Sequence, residues 1–102
     1  MPFVAVCSEQ DVPPGGMRRY DLDGRAIAIY HLEAGFCATA AICTHEHADL
    51  TLGRLEGGRV ICPLHGARFD VASGRALGPP AHRPLKVFPV RLREGTVEVD
   101  LG

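Results

Sequence analysis

Neither sign of charge dominates this chain of 102 residues: eleven Lys and Arg stand against twelve Asp and Glu, and no basic run occurs. A protein that grips nucleic acid through its phosphates needs clustered excess cations, so that class is excluded. Long apolar runs are missing as well; none approaches the roughly 20 residues needed to span a bilayer. The amino terminus has no basic n-region, and its apolar run stops at Ser8-Glu9, so it makes a poor secretory signal and a cytoplasmic location is expected. Long helical periods are also absent, because twelve glycines and eight prolines cut the chain into short segments. What remains is 46% hydrophobic, too apolar for a disordered chain and too short for a second core. One domain over residues 1–102 is expected.

The segments between the breakers read as strands. Residues 3–7 form an opening apolar run, and residues 11–16, with paired prolines and glycines, form a loop. Residues 17–22 and 25–32 flank Asp23-Gly24, a dipeptide suited to a tight hairpin. In the second arm both alternating faces are apolar, so both are expected to be buried. Residues 35–42 predict a third strand that delivers Cys43 at its end. Gly57-Gly58 separates residues 52–56 from 59–62, so a second hairpin precedes Cys62. Residues 68–71 with the Ser73-Gly74 turn suggest another short pair, and residues 86–93 and 96–101 a final hairpin around Glu94-Gly95. In its last arm Val97, Val99 and Leu101 alternate with Glu98 and Asp100, the pattern of a strand with one solvated face. A helical turn is conceivable at residues 48–52. The expected class is all-β: short antiparallel strands in a sandwich or partly open barrel.

Two of the four cysteines and three of the five histidines fall within residues 43–65, as two clips, Cys43-Thr44-His45 and Cys62-Pro63-Leu64-His65. Four cysteines could form two disulfides, but in a reducing compartment a pattern that includes histidines favours metal. Each clip pairs a soft thiolate with an imidazole just after an expected strand, which suits tetrahedral zinc or an iron–sulfur cluster. The order Cys–His, Cys–His differs from the usual zinc-finger order of two cysteines before two histidines. Two irons, one taking both thiolates and the other both imidazoles, explain that order better. His47 stands two residues from His45 and competes with it as a ligand; alternate residues of an extended chain point apart, so one of the two faces the metal. Cys7 and Cys37, inside apolar runs, read as core thiols. His31 and His82 read as structural or solvated.

Cys43-Thr44-His45 with Cys62-Pro63-Leu64-His65-Gly66 resembles the Rieske [2Fe–2S] motif with its mixed ligation. The resemblance runs on through residues 68–71 and 73–76 to Gly78-Pro79-Pro80, which is similar to the proline loop covering such clusters. In order and size nearly the whole chain resembles the Rieske ferredoxins of multicomponent aromatic-ring dioxygenases. The resemblance implies small stacked antiparallel sheets with a cluster-binding part, about residues 43–82, formed by two loops. It selects His45 over His47, and implies that Cys43 and Cys62 hold a buried iron while His45 and His65 hold the outer one. The chain departs from the Rieske proteins of quinol-oxidising membrane complexes: Ala48 and Leu64 occupy the positions of their disulfide cysteines. Ala67 and Phe69 stand where those proteins carry a serine and a tyrosine.

By the same resemblance, the expected role is a one-electron carrier in aromatic hydrocarbon catabolism. It would receive electrons from a flavin-dependent NAD(P)H ferredoxin reductase and pass them to a terminal oxygenase with its own Rieske centre. A monomer is expected. An oxygenase in its own right would need a second site of two histidines and a carboxylate, and only His82 follows His65. A small Rieske subunit of a nitrite-reductase-type enzyme is the alternative, and a structural zinc module the third reading. The acids Glu46, Asp49 and Glu56 near the first clip suit either a basic docking face on a partner or a plain solvated surface. Hydrogen bonds to sulfur stabilise the electron-rich reduced state, so the missing hydroxyls at Ala67 and Phe69 predict a low potential. Potentiometric titration should place the midpoint near the low end of the Rieske range of about −150 to +300 mV; a value above roughly +100 mV would contradict this.

Overall fold

The computed structural model describes residues 3–44 and 47–102. The described residues form ten strands: β1 (Val4–Ser8), β2 (Met17–Leu22), β3 (Arg25–Leu32), β4 (Gly35–Ala40), β5 (Arg54–Glu56), β6 (Arg59–Ile61), β7 (Arg68–Asp70), β8 (Val87–Phe88), β9 (Val90–Arg93) and β10 (Thr96–Val99). They form three antiparallel sheets, ordered β1-β10-β9, β2-β3-β4-β8 and β5-β6-β7. The only helical pieces among the described residues are 3-10 turns at Glu9–Asp11 and Leu50–Leu52, the second lying within the segment flagged as a helical turn. No helix among the described residues is long and apolar enough to cross a membrane.

β3 sits between two apolar layers, and its alternation explains why. Ala28 and Tyr30 point into a cluster with Val60, Phe69 and Val71 from the β5-β6-β7 side. Ile27 and Ile29 point the other way, into a cluster with Val97 and Val99 of β10. Successive strand residues face opposite sides, so a strand buried on both faces must be apolar throughout. All four central residues of β3 are completely buried. The exception to apolarity is the Tyr30 hydroxyl, which lies 2.9 Å from Thr39 Oγ1. Thr39 donates its own proton to the Ala40 carbonyl, so Tyr30 is the donor in that pair. Burial pushes the Tyr30 phenol up to about 12, the Thr39 bond and nearby charges being lesser influences.

Two expected strands are interrupted, each for an identifiable reason. The arm at residues 86–93 divides at Pro89, which has no N–H to continue a ladder; β8 pairs with β4 and β9 with β10. The third strand ends at Ala40 rather than residue 42: Ala41 still donates to the Ala26 carbonyl, but Ile42 has already turned to bridge Asp49. The pair expected after residues 68–71 reduces to a single bridge between Phe69 and Ala76. There Asp70 accepts from both the backbone and hydroxyl of Ser73, which tightens the turn before a pairing strand can form. Gly74 at that turn has φ +80°, and a Cβ there would lie 2.2 Å from the Leu85 carbonyl oxygen. The Leu85 N–H donates to the Gly74 carbonyl at 2.7 Å, so only glycine allows the two segments to meet.

A polar clamp closes the return from β4 toward β5. Asp49 accepts from the Thr51 backbone at 2.9 Å and from its hydroxyl at 2.6 Å, capping the 3-10 turn. Its other carboxylate oxygen accepts from Arg19 of β2 at 3.1 Å. Burial alone would raise the Asp49 carboxyl, but the Thr51 and Arg19 bonds outweigh it and hold the group below its usual value. A depressed folded-state pKa contributes stability above the unfolded value of about 3.9 and loses it as pH falls through the folded one. Asp49→Asn should therefore cost about 1 kcal/mol at pH 7. Thermal midpoints of variant and parent should draw together as pH falls through that window. Coincident midpoints at pH 7 would refute the clamp.

Candidate cluster site

The two clips are built alike. Cys43 donates its N–H to the Ala48 carbonyl at 2.8 Å, and Cys62 donates its own to the Ala67 carbonyl at 2.7 Å. Each cysteine thus opens a loop closed by the carbonyl five residues later, and in the second loop residues 63–66 are exposed. Different elements support the loops. The first is braced by the Ile42–Asp49 bridge and by the Leu50 N–H bonding the Ala41 carbonyl at 2.8 Å. The second is the turn between β6 and β7, with Ile61 paired to Arg68. Gly53 packs the Leu50–Leu52 turn against this hairpin; a Cβ there would come within 1.9 Å of the Ile61 carbonyl oxygen.

Burial divides the clips into an inner and an outer part. Cys43 and Cys62 are 1% and 2% exposed and belong to one apolar cluster with Leu50, Ala67, Phe69 and Ala81. His65 lies on the exposed side, with φ +63°, followed by Gly66 at φ +70°. Two consecutive left-handed residues turn the chain sharply there, and glycine takes up one of them at no steric cost. Leu64, between Pro63 and His65, is 47% exposed. His45 and Glu46 lie outside the described residues. His47 is exposed, with φ +53°, and its N–H bonds the Cys43 carbonyl at 3.1 Å. The structure therefore brings Cys43 and Cys62 into one dry cluster and leaves His65 at its outer edge. Soft sulfur donors enclosed by apolar side chains, with an imidazole on the solvent side, are the donor set that an iron–sulfur cluster of mixed ligation requires.

The residues at the expected hydroxyl positions are fully buried: Ala67 and Phe69 have no exposure and pack in the same cluster as the cysteines. The proline loop also reaches this cluster through Ala81. Its peptide Pro79-Pro80 is cis, the Gly78–Ala81 bridge closes it, and Ala81 is buried in the cluster. Thr44 of the first clip donates its hydroxyl to the Arg83 carbonyl at 2.8 Å, and Arg83 Nη2 donates back to the Thr44 carbonyl at 3.3 Å.

The other sequence candidates have different roles. His31 bonds the Val12 carbonyl through Nδ1 at 2.8 Å and stacks on Phe36, which is a structural role. His82 is exposed. Cys7 and Cys37 are half-buried at core edges, and burial pushes both thiols up, away from reactivity at neutral pH. The acids near the clips do not present a free acidic face among the described residues: Asp49 pairs with Arg19, and Glu56 with Arg54 at 3.2 Å. Sequence reading missed the Arg19–Asp49 clamp and the Thr44–Arg83 tie. The spacing of Asp49 and Thr51 carried a capping signal that could have found half of the first. The long-range partners had none.

A family profile, the Rieske [2Fe-2S] domain, matches residues 2–89. The ferredoxin component of the naphthalene 1,2-dioxygenase system of Pseudomonas aeruginosa is 38% identical over 92 residues, covering 90% of this chain and 88% of its own. The biphenyl dioxygenase ferredoxin subunit of Pseudomonas sp. strain KKS102 is 39% identical, covering 100% and 94%. Among solved structures, a chain from the complex of reduced oxygenase and oxidised ferredoxin in carbazole 1,9a-dioxygenase superposes with a TM-score of 0.90. It is 39% identical and covers 95% of this chain and 91% of its own. The chain belongs to the Rieske [2Fe–2S] domain family, and its cofactor is a Rieske-type [2Fe–2S] cluster.

Proposed function

We propose that this protein is a one-electron carrier whose cluster is held by Cys43 and Cys62 on the inner iron and by His45 and His65 on the outer one. The observation that carries the assignment is the polarity of the clips: both cysteines are buried in one apolar cluster while His65 faces outward. A set of four protein ligands leaves no open position for substrate, so the role is electron transfer rather than catalysis. Bound there, the cluster supplies a reversible one-electron redox centre. The surrounding residues exclude water from the sulfides, and the outer imidazoles offer the edge that a partner's cofactor approaches.

A similar ferredoxin found in complex with reduced oxygenase supports a terminal oxygenase as acceptor. The resemblance to multicomponent dioxygenase systems implies that this oxygenase has its own Rieske centre and that the donor is a flavin-dependent NAD(P)H reductase. The contact face would include His45, His65, His47, Leu64 and Pro80, and encounters of this kind are small and brief. The protein acts as a cytoplasmic monomer of one domain, residues 1–102, with residues 43–82 as its cluster-binding part. Neither membrane nor nucleic acid takes part. No feature of the site favours the alternative of a fixed nitrite-reductase subunit.

Purified protein should contain iron and acid-labile sulfide in equal amounts and no zinc. His45→Ala should abolish the cluster's visible spectrum, whereas His47→Ala should leave it intact; the reverse result would reassign the ligand. Gel filtration of the native protein should show a free carrier, and permanent elution within a larger enzyme would favour the fixed-subunit reading.

A further inference from the structure

The proline loop is tied to the first clip by two reciprocal hydrogen bonds between residues 39 apart in sequence. Thr44 Oγ1 donates to the Arg83 carbonyl, and the Arg83 guanidinium donates to the Thr44 carbonyl. Thr44 is the residue between Cys43 and His45. Arg83 follows the buried Ala81 and precedes Leu85, whose N–H is anchored to Gly74. The loop is thus bound at its neck by the Gly78–Ala81 bridge and at its far end by Leu85. Thr44 and Arg83 join the segment between that neck and Leu85 to the first clip.

We propose that Thr44 and Arg83 form a latch that holds the proline loop closed over the cluster, and that the Arg83 guanidinium biases the cluster toward its reduced state. This rests on the ligand assignment proposed above. The physical grounds are separate for the two halves of the pair. A hydroxyl bonded across 39 residues holds two loops together without altering charge. A guanidinium bonded to a carbonyl of the ligand-bearing clip places a permanent cation beside a centre that gains one negative charge on reduction, and nearby charge is among the levers that set such potentials. Arg83 is exposed, so salt should weaken the electrostatic half and leave the latch untouched. Arg83 is a positioning residue, since it acts through the clip and the loop.

The test uses the cluster-loaded protein and three variants, read by midpoint potential at low and high salt and by the rate of cluster loss to an iron chelator. Arg83→Gln should shift the reduction equilibrium about threefold toward the oxidised form, roughly 28 mV for one electron, with the difference shrinking at high salt. It should also lose its cluster several-fold faster. Thr44→Val should lose its cluster faster while keeping the parent potential, and Arg83→Lys should keep most of the potential. If Arg83→Gln does not fold, Arg83→Met takes its place for the potential, with the same expected shift, and Thr44→Val still tests the latch. Parent-like potential and parent-like chelator kinetics in these variants would overturn the proposal. So would equal losses of potential in Thr44→Val and Arg83→Lys, which would show a steric effect only. A parent protein purified without iron would instead overturn the ligand assignment itself.

Discussion

The structure is governed by the need to keep two cysteine sulfurs dry within a few residues of a histidine, His65, that faces solvent. Thiolate and sulfide are soft, polarizable and readily attacked by water and oxidants, so they belong in an apolar interior. An electron, however, must leave through an edge that another protein can approach. A chain of this size has little interior to spare. It answers by placing β3 between two apolar layers, so that the layer around Tyr30, Phe69 and Val71 can be given over to the cysteines. The layer around Ile27, Ile29, Val97 and Val99 supplies cohesion on the other side.

The loops solve the local half of the problem. In each, the cysteine N–H is returned to the carbonyl five residues later, which fixes the cysteine backbone at the loop base before any metal contributes. The intervening residues need no regular pairing, so they can turn outward. Left-handed conformations at His65 and Gly66 make that turn abrupt in the second loop. A backbone already held by hydrogen bonds loses less conformational freedom when ligands close on a metal. The same hydrogen bonds also occupy polar groups that would otherwise sit unsatisfied beside an apolar cluster.

Legibility in the sequence followed the range of the interaction. β2, β3 and the Asp23-Gly24 turn between them could be read to the residue, because alternation and turn chemistry are local. The clips were legible for the same reason: their ligands stand two and three residues apart, and the chemistry of thiolate with imidazole limits what can bind. Breaks at Pro89 and Ile42 were harder, since they depend on which strand lies alongside. The close approach of Gly74 to Leu85, the Arg19–Asp49 clamp and the Thr44–Arg83 tie join distant segments and leave no periodic trace. Glycine at position 74 could be read as a turn, but not as the one residue small enough for another backbone to pass.

Charge near the first clip shows why composition alone misleads about recognition. Asp49 and Glu56 look like an invitation to a basic partner, yet Asp49 is turned toward Arg19 and Thr51 and Glu56 toward Arg54. A paired carboxylate projects a short-range dipole rather than a net field, and at physiological ionic strength charges separated by more than about 8 Å are largely screened. What stands out beside the clips is apolar: Leu52 is 75% exposed and Leu64 is 47% exposed. An encounter guided by such side chains gains from excluding water over a small area and tolerates some rotation about the contact. That suits an electron carrier, whose encounters are brief and small.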